Sequence, residues 1–442
     1  MKKIFNTLLA GSILLAMTTV LSGCGKENGS ATPIFVDDAG SATKGAQQEN
    51  GLEIDTQDVK PETNKETNKP EKTPVPDNSN KNDSAPGNTE TNKNAPNEKS
   101  SEVTPAPHVT TDLEPSYGLK FKSNGDGTCK IVGIGICADK DIVIPTESPD
   151  GDTVTSIGKQ AFWGLEDVDS ITFVNYDYKI EKGAFQYGEF TSINFLGGNP
   201  LIGESAFSSC DDLASITFES CNIQADEYAF YSCGKDAGIT FSNCSGFLDE
   251  RAFQYGDFLS LSVRNCTLKI DESVFSSCDA FLSIVFADST IEADKYAFYS
   301  CGDSAVVEME NCSIILEENA FQYSSLDSLA ITGSKIEIGK SAFSSCEDLS
   351  TVQIDCESVF MDEYAFYGCE DLKTVTICET STSDIELDDR VFQYCKRLKS
   401  VIIGDGNLTV GEYAFSGCSD DFVISIAGKN YNAKLLQYGF PQ

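Results

Sequence analysis

The stretch that decides the fold reads Leu213-Ala-Ser-Ile-Thr-Phe-Glu-Ser-Cys-Asn-Ile223. Its apolar residues alternate with small or polar ones, which is the pattern of a short β-strand with one buried face. The same pattern returns at Phe258-Leu-Ser-Leu-Ser-Val-Arg-Asn-Cys-Thr-Leu268. A single occurrence could arise by chance, but recurrence in phase along a chain indicates a repeat architecture.

An Ala-Phe or Val-Phe dipeptide marks twelve copies of the repeat, spaced by 22 or 23 residues except for one step of 26. The longer step carries a three-residue insertion around 380–384. Variants of the dipeptide return after 68 residues, which indicates duplication of a cassette of three repeats. The phenylalanines are Phe162, Phe185, Phe207, Phe230, Phe253, Phe275, Phe298, Phe321, Phe343, Phe366, Phe392 and Phe415.

This period predicts an α/β solenoid of about twelve turns of 22–23 residues. The alternating part of each repeat forms a strand that pairs in parallel with the next strand, about 4.8 Å away, on one face. The part that reads Asp-Glu-Tyr-Ala-Phe-Tyr-Ser-Cys suits a short helix or 3₁₀ turn on the far side. One repeat cannot bury its own apolar face, so stability must come from stacking of neighbours. Twelve turns give an arc of roughly 55 Å.

The first 24 residues form an export signal. Lys2 and Lys3 precede an apolar run that ends Leu-Ser-Gly-Cys24, which resembles a bacterial lipobox. The resemblance implies that the signal is cut before Cys24 and that this cysteine is lipidated. The alternatives are an ordinary signal peptide or a short membrane anchor with a chance cysteine.

Residues 25–115 are predicted to be a disordered linker rich in Pro, Asn, Thr, Lys and Glu. They hold ten of the fourteen prolines and few large apolar residues, so burial cannot offset the entropy of ordering. We expect a tether of about 50 Å average reach. After it come an N-terminal capping hairpin (116–152), the repeats (153–420) and a C-terminal cap (421–442).

The charge balance excludes several functional classes. The chain has 69 Asp and Glu against 32 Lys and Arg, a net charge of −37, and residues from 116 onward contribute 52 − 21, or −31. A protein that neutralises nucleic-acid phosphates needs a basic surface instead. His108, the one histidine, lies in the linker, so no His-dependent catalytic or metal site is expected. We predict no enzyme, cofactor or metal, and a monomer that favours cationic partners; solubility alone is the alternative use of the charge.

Residues 121–440 resemble the BspA-like (treponemal-type) leucine-rich repeats of bacterial surface proteins. The motif Ile-Gly-x-x-Ala-Phe carries the resemblance, at Ile157–Phe162 and Ile338–Phe343, followed by x-x-Cys-x-x-Leu. The resemblance implies a non-enzymatic surface protein that acts as an adhesin or binds host proteins. Together with the lipobox, we expect a lipid-anchored protein displayed at the bacterial cell surface that binds a protein or glycan on host or neighbouring cells. The alternative is a structural or spacer protein without a specific ligand.

Ligand binding is expected on the outward positions of the sheet, which are small and polar. Tyrosines cluster instead around the Phe motif, where they either contact glycans or protein or simply cover the convex side. These tyrosines are Tyr187, Tyr231, Tyr255, Tyr299, Tyr323, Tyr367 and Tyr394. The expected ligand face comprises Thr172, Asn194, Thr217, Thr240, Ser262, Val285, Glu308, Ala330, Gln353 and Thr376.

The cysteines follow the repeat. Eight lie three residues after a Phe, where a thiol is a small buried apolar group, and four lie at the bend of the repeat. Cys356 and Cys378 fall one residue early and are expected to face outward. Reduced core thiols are favoured over disulfides between adjacent turns, although export favours disulfides. Cys129 and Cys137 are the pair most expected to be bridged.

Acidic residues also keep a fixed phase. Eight repeats have Asp or Glu four residues before the Phe. A carboxylate there can cap the first turn of a helix, and stacked carboxylates could instead hold a row of calcium ions. Caps are favoured because the loops lack a D-x-D-x-D-G pattern.

Overall fold

The computed structural model describes residues 108–378 and 384–432. The predicted signal, Cys24, most of the linker, the centre of the insertion and the last ten residues lie outside this part of the chain. The described residues form 28 β-strands and no helix. They accordingly include no helix long and apolar enough to cross a bilayer.

The strands run in chain order as follows: β1 Lys120–Ser123, β2 Thr128–Gly133, β3 Asp141–Ile144, β4 Thr153–Ile157, β5 Ser170–Val174, β6 Lys179–Ile180, β7 Ser192–Leu196, β8 Leu201–Ile202, β9 Ser215–Glu219, β10 Asn222–Ala225, β11 Ala237–Ser242, β12 Ser245–Leu248, β13 Phe258–Arg264, β14 Thr267–Ile270, β15 Ser283–Ala287, β16 Thr290–Ala293, β17 Ala305–Glu310, β18 Ser313–Leu316, β19 Leu326–Thr332, β20 Lys335–Ile338, β21 Thr351–Asp355, β22 Ser358–Met361, β23 Thr374–Ile377, β24 Asp384–Leu387, β25 Ser400–Ile403, β26 Asn407–Val410, β27 Val423–Ile426 and β28 Lys429–Asn432.

Two sheets of 14 strands run along the solenoid. Sheet A contains β1 and the even-numbered strands from β2 to β26, and sheet B contains the odd-numbered strands from β3 to β27 together with β28. Pairing is parallel throughout, except for the antiparallel hairpins β1–β2 and β27–β28 at the two ends. The predicted solenoid with a parallel sheet is confirmed, and it has about thirteen turns because sheet B has thirteen parallel strands.

The expected helix or 3₁₀ turn is wrong, because a turn segment and a second sheet occupy the far side of each repeat. The residues two before and two after each of the twelve Phe have φ between +51° and +77°, as at Tyr228 and Ser232. A right-handed helix needs negative φ at consecutive residues, and the left-handed region is costly for L-residues other than glycine. Two such residues, four apart, therefore interrupt every turn segment.

Neighbouring turn segments are hydrogen-bonded to each other as strands are. The backbone N–H of Phe207 donates to the carbonyl oxygen of Ala229 at 2.8 Å, and that of Phe230 donates to Ala252 at 2.7 Å. All eleven successive Phe positions, from Phe162 to Phe392, repeat this bond. The solenoid thus has three bonded faces: sheet A, sheet B and the turn face.

The twelve Phe rings form one continuous stack through the core. Centroids of adjacent rings are 4.6–5.5 Å apart and adjacent planes are within 22° of parallel. Every ring is buried. The Phe motif therefore marks the central core position of each turn, and its rings gain stacking energy beyond simple burial.

The sixteen described cysteines form no disulfide in the structure, and Cys129 and Cys137 are not joined to each other. Cys356 and Cys378 are buried, with 2% and 0% of their surface exposed, so the outward orientation expected for them is wrong. The Cys378 thiol donates instead to the carbonyl oxygen of Cys356 at 3.3 Å, inside the bend between the two sheets. The bend contains backbone acceptors that turn this side chain inward.

Candidate functional site

The ten residues of the expected ligand face form one unbroken row on sheet B. Each lies opposite the next in register, starting with Thr172 opposite Asn194 and ending with Gln353 opposite Thr376. The row crosses ten adjacent strands, from β5 to β23. The repeat period alone was sufficient to place these side chains together.

Nine of the ten residues in this row are at least partly accessible to solvent. Thr240, Glu308 and Gln353 are exposed, six residues are half-buried, and Thr172 is buried at 8% exposure. At the buried end the amide of Asn194 donates to the Thr172 hydroxyl at 3.4 Å. The row offers hydroxyl and amide groups and one carboxylate, which suits hydrogen bonding to a partner rather than burial of a large apolar group.

Sheet A has a second accessible face, which the sequence interpretation missed. A shallow depression of about 450 Å³ lies on β18, β20, β22, β24 and β26. The outward residues at its centre form a row in register: Ile315, Glu337, Phe360, Glu386 and Thr409. The signal was present as the alternation in Lys335-Ile-Glu-Ile338, but a four-residue strand is easily mistaken for the start of a turn.

Exposed aromatic pairs occur on the turn face at every third turn. Each pair joins two neighbouring repeats. Its first member directly follows the Phe of one repeat, and its second member lies two residues after the Phe of the next repeat. The two rings meet edge to face, with centroids 5.4–5.6 Å apart. We call these four the aromatic pairs. They are Trp163–Tyr187, Tyr231–Tyr255, Tyr299–Tyr323 and Tyr367–Tyr394.

The aromatic pairs are exposed to solvent and also pack against neighbouring side chains. Trp163 and the second tyrosine of each pair are 46–55% exposed. A further tyrosine packs against three of the pairs, as Tyr228 does against Tyr231 with centroids 5.2 Å apart. The Arg251 guanidinium donates to the Tyr228 hydroxyl at 3.3 Å. Trp163 was overlooked as a partner, although it has the same phase in the repeat as Tyr231.

The acidic row caps turns rather than helices. Carboxylates of this row accept a hydrogen bond from the next backbone N–H, as Asp249 does from Glu250 at 2.8 Å; Asp271, Asp294, Asp362 and Asp388 do the same. The expectation of helix caps is therefore wrong, because these carboxylates cap turns and not helices. Within the described residues, no group of three or more His, Cys, Asp or Glu is placed to hold a metal ion.

Glu181 is the most highly connected carboxylate of that row. It accepts from the Lys159 backbone N–H at 2.8 Å, from the Lys130 ammonium at 3.1 Å and from the Ser156 hydroxyl at 3.2 Å. Partial burial by itself raises the pKa of Glu181, but these donors together hold the pKa below its usual value. The carboxylate therefore stays ionised and fixes the start of the second Phe-bearing turn.

Comparison with known proteins identifies the repeat. A family model of the BspA-type leucine-rich repeat region, in six copies, matches residues 140–258, 246–373 and 291–420. No curated protein matches the chain.

Several solved structures are similar to this chain. A leucine-rich repeat protein from Bacteroides ovatus is 19% identical, with 70% of this chain and 92% of that chain covered and a TM-score of 0.28. A leucine-rich cell surface protein from Faecalibacterium prausnitzii is 16% identical, with 66% and 95% covered and a TM-score of 0.26. The pneumococcal vaccine antigen PcpA is 19% identical, with 72% and 87% covered and a TM-score of 0.29.

Proposed function

The chain belongs to the BspA-type leucine-rich repeat family, and from that premise we propose that it is a non-enzymatic binding protein of the bacterial cell surface. The family assignment confirms the resemblance drawn from the Ile-Gly-x-x-Ala-Phe motif. In this proposal Cys24 carries a lipid that holds the chain at the membrane, residues 25–115 act as the tether, and the solenoid binds a protein or glycan on host or neighbouring cells.

The observation that carries the proposal is the row of ten residues in register on sheet B. Solenoids commonly use such extended faces for binding, since stacked repeats place equivalent side chains side by side. The row contains hydrogen-bonding groups that the fold does not use for its core, such as the exposed Thr240 and Gln353. A broad polar face of this kind supports recognition of a macromolecule rather than a small substrate.

The row can be tested by obstructing it. The full-length chain would be screened against matrix proteins, mucins and glycans, and Ser262→Arg and Ala330→Arg would then be compared with the unchanged chain. We expect a loss of affinity of about tenfold or more, because a large side chain on the row prevents close approach of a partner. Thr267→Arg and Thr290→Arg place the same side chain on sheet A and serve as matched controls. Equal loss in both sets would contradict a site on sheet B.

A spacer function without a specific ligand is the second candidate. The row on sheet B has no aromatic residue and one charge, Glu308, whereas binding hot spots are enriched in Trp, Tyr and Arg. Absence of any specific ligand in the same screen would favour the spacer.

The membrane anchor has its own test. Replacement of the lipid-accepting thiol in Cys24→Ala should release the chain from the membrane fraction, since stable anchoring needs the acyl chains. A variant that stays in that fraction would rule out lipidation at Cys24.

A further inference from the structure

The fold does not require the second tyrosine of each aromatic pair. Tyr187, Tyr255, Tyr323 and Tyr394 lie two residues after a Phe, with φ between +59° and +62°. The other eight turns have Ser or Gly at this position. A bulky residue is disfavoured in the left-handed region. Since the other turns have Ser or Gly at this position, Tyr does not stabilise the backbone conformation there. The rings are also about half exposed, so they do not serve to complete the core.

Acidic side chains follow two of the four aromatic pairs, whereas Ser325 and Lys396 take the same position after Tyr323 and Tyr394. Glu189 and Asp257 are exposed and lie two residues after Tyr187 and Tyr255. Seven of the twelve turns have an acid at this position: Glu166, Glu189, Asp211, Asp257, Asp279, Glu347 and Glu370. These carboxylates attract cations by their own charge and through the general field of the −31 region, whereas the aromatic rings offer a surface for packing.

The spacing of the aromatic pairs is regular. Successive pairs lie three turns apart, which at about 4.8 Å per turn places them about 14 Å from each other. The same two residue positions are used in all four pairs. Four aromatic pairs in a line match a ligand that is itself a repeating polymer, whereas the surface of a globular protein presents no such period.

We propose that the aromatic pairs bind a linear glycan that bears free amino groups. Sugar rings lie against the exposed aromatic faces, and the ammonium groups point toward the neighbouring carboxylates such as Glu189 and Asp257. Each contact is weak by itself, but four sites on one rigid surface raise the overall affinity through effective concentration. The inference rests on the proposed binding function and assigns it a ligand class and a second surface, the turn face.

The test uses the full-length chain and linear glucosamine oligomers long enough to span two pairs. The four-site variant Tyr187→Ala, Tyr255→Ala, Tyr323→Ala and Tyr394→Ala should bind about tenfold more weakly, because the sites act together. The matched control, Ser209→Ala, Ser277→Ala and Ser345→Ala, changes the same position in other turns and should bind as the unchanged chain does. The four Tyr→Phe substitutions keep the rings and should retain binding, which separates a lost contact from a lost fold.

Two further ligands test which part of the glucosamine oligomer is recognised. N-acetylglucosamine oligomers keep the sugar rings without the charge and should bind more weakly, and lysine oligomers keep the charge without sugar rings and should not depend on the tyrosines. The proposal is overturned if glucosamine oligomers do not bind, if the Ala variant binds them unchanged, or if lysine oligomers show the same dependence on the tyrosines.

The proposed site on sheet B and the proposed site on the turn face can be refuted independently. Ser262→Arg and Ala330→Arg obstruct sheet B and should leave glucosamine binding unchanged. Glucosamine binding that is lost in these variants would overturn the assignment to the turn face. A chain that binds glucosamine but no other ligand would refute the sheet B site alone.

Discussion

The thiol of Cys233 donates a hydrogen bond to the carbonyl oxygen of Phe207 on the preceding turn, with the two atoms 2.8 Å apart. The hydroxyl of Ser324 makes the same bond to Phe298, also at 2.8 Å. Both side chains are buried, and a buried carbonyl needs a donor. A disulfide has no S–H to donate, so this bond favours the reduced state of the row of thiols to which Cys233 belongs.

Substitution of Cys233 should depend on whether the donor is kept. Cys233→Ser supplies a hydroxyl and should stay within about 1 kcal/mol of the unchanged chain, whereas Cys233→Ala leaves the Phe207 carbonyl with one donor fewer and should cost about 1–3 kcal/mol. The measurement is the free energy of unfolding in urea. If Ala proved as stable as Ser, the hydrogen bond would have no energetic role.

Alkaline pH should destabilise the solenoid through its buried thiols. Burial raises the pKa of Cys301 and of Cys356 from 9.0 to about 12. A native pKa above that of the unfolded chain means that the unfolded chain loses protons first. The stabilisation is therefore complete below about pH 9 and is lost as the pH rises toward about 12.

Unfolding of the full-length chain at about pH 8 and about pH 10.5 measures this effect. Lysines and tyrosines also titrate in this range, so the comparison is made with Cys301→Ser, which removes one thiol and keeps a small polar side chain. The variant should lose less stability between the two pH values than the unchanged chain. An identical loss would show that Cys301 does not contribute.

The centre of the Phe stack should be more sensitive than its end. Phe298→Ala removes a ring that stacks on both sides, with centroids 5.1 and 4.6 Å away, and should cost about 3–5 kcal/mol. Phe415→Ala removes a ring with one parallel stacked neighbour, Phe392, and should cost less. Denaturation midpoints of the two variants make the comparison. Equal costs would mean that stacking adds nothing to burial.

Glycine and valine should have opposite effects in the turn segments and in sheet B. Ser277 has a φ of +57°, so Ser277→Gly should be neutral or stabilising and Ser277→Val should destabilise by about 1–2 kcal/mol. Ser262 lies within β13, where Ser262→Gly should cost about 0.5–1 kcal/mol and Ser262→Val should be tolerated, as Val285 is on the next strand. The melting temperatures of the four variants test this prediction. The same order of stability for Gly and Val at both positions would contradict the assigned backbone conformation.

The period-based part of the structure could be predicted from the sequence, and the conformation of the turn segments could not. Twelve Phe at fixed spacing locate the stacked core, and the two-residue alternation around Thr217 locates the sheet B row. The left-handed positions were missed because Tyr228 and Arg251 occupy them, and such side chains give no glycine signal. They adopt this geometry because each turn segment is bonded to its neighbours.

Sheet A and the orientation of the cysteines at the bends could not be predicted from the sequence either. Strands such as β6 and β8 have two residues each, too few to display an alternation. Cys378 faces inward because of a carbonyl on another turn, a contact that sequence spacing does not reveal. Of the candidate surfaces, sheet B follows from the period, whereas pairing of Trp163 with Tyr187 requires the superposition of two successive turns.

The 68-residue cassette gives this molecule an adjustable valency. Each cassette contains three turns and contributes one aromatic pair, and its ends join to the next cassette through the same hydrogen bonds that join any two turns. A chain with one cassette more or fewer would keep the hydrogen bonds between neighbouring turn segments and would present five or three pairs. Under the proposed glycan binding, avidity for a repeating ligand would therefore change by duplication or deletion of one gene segment, without altering any single aromatic pair.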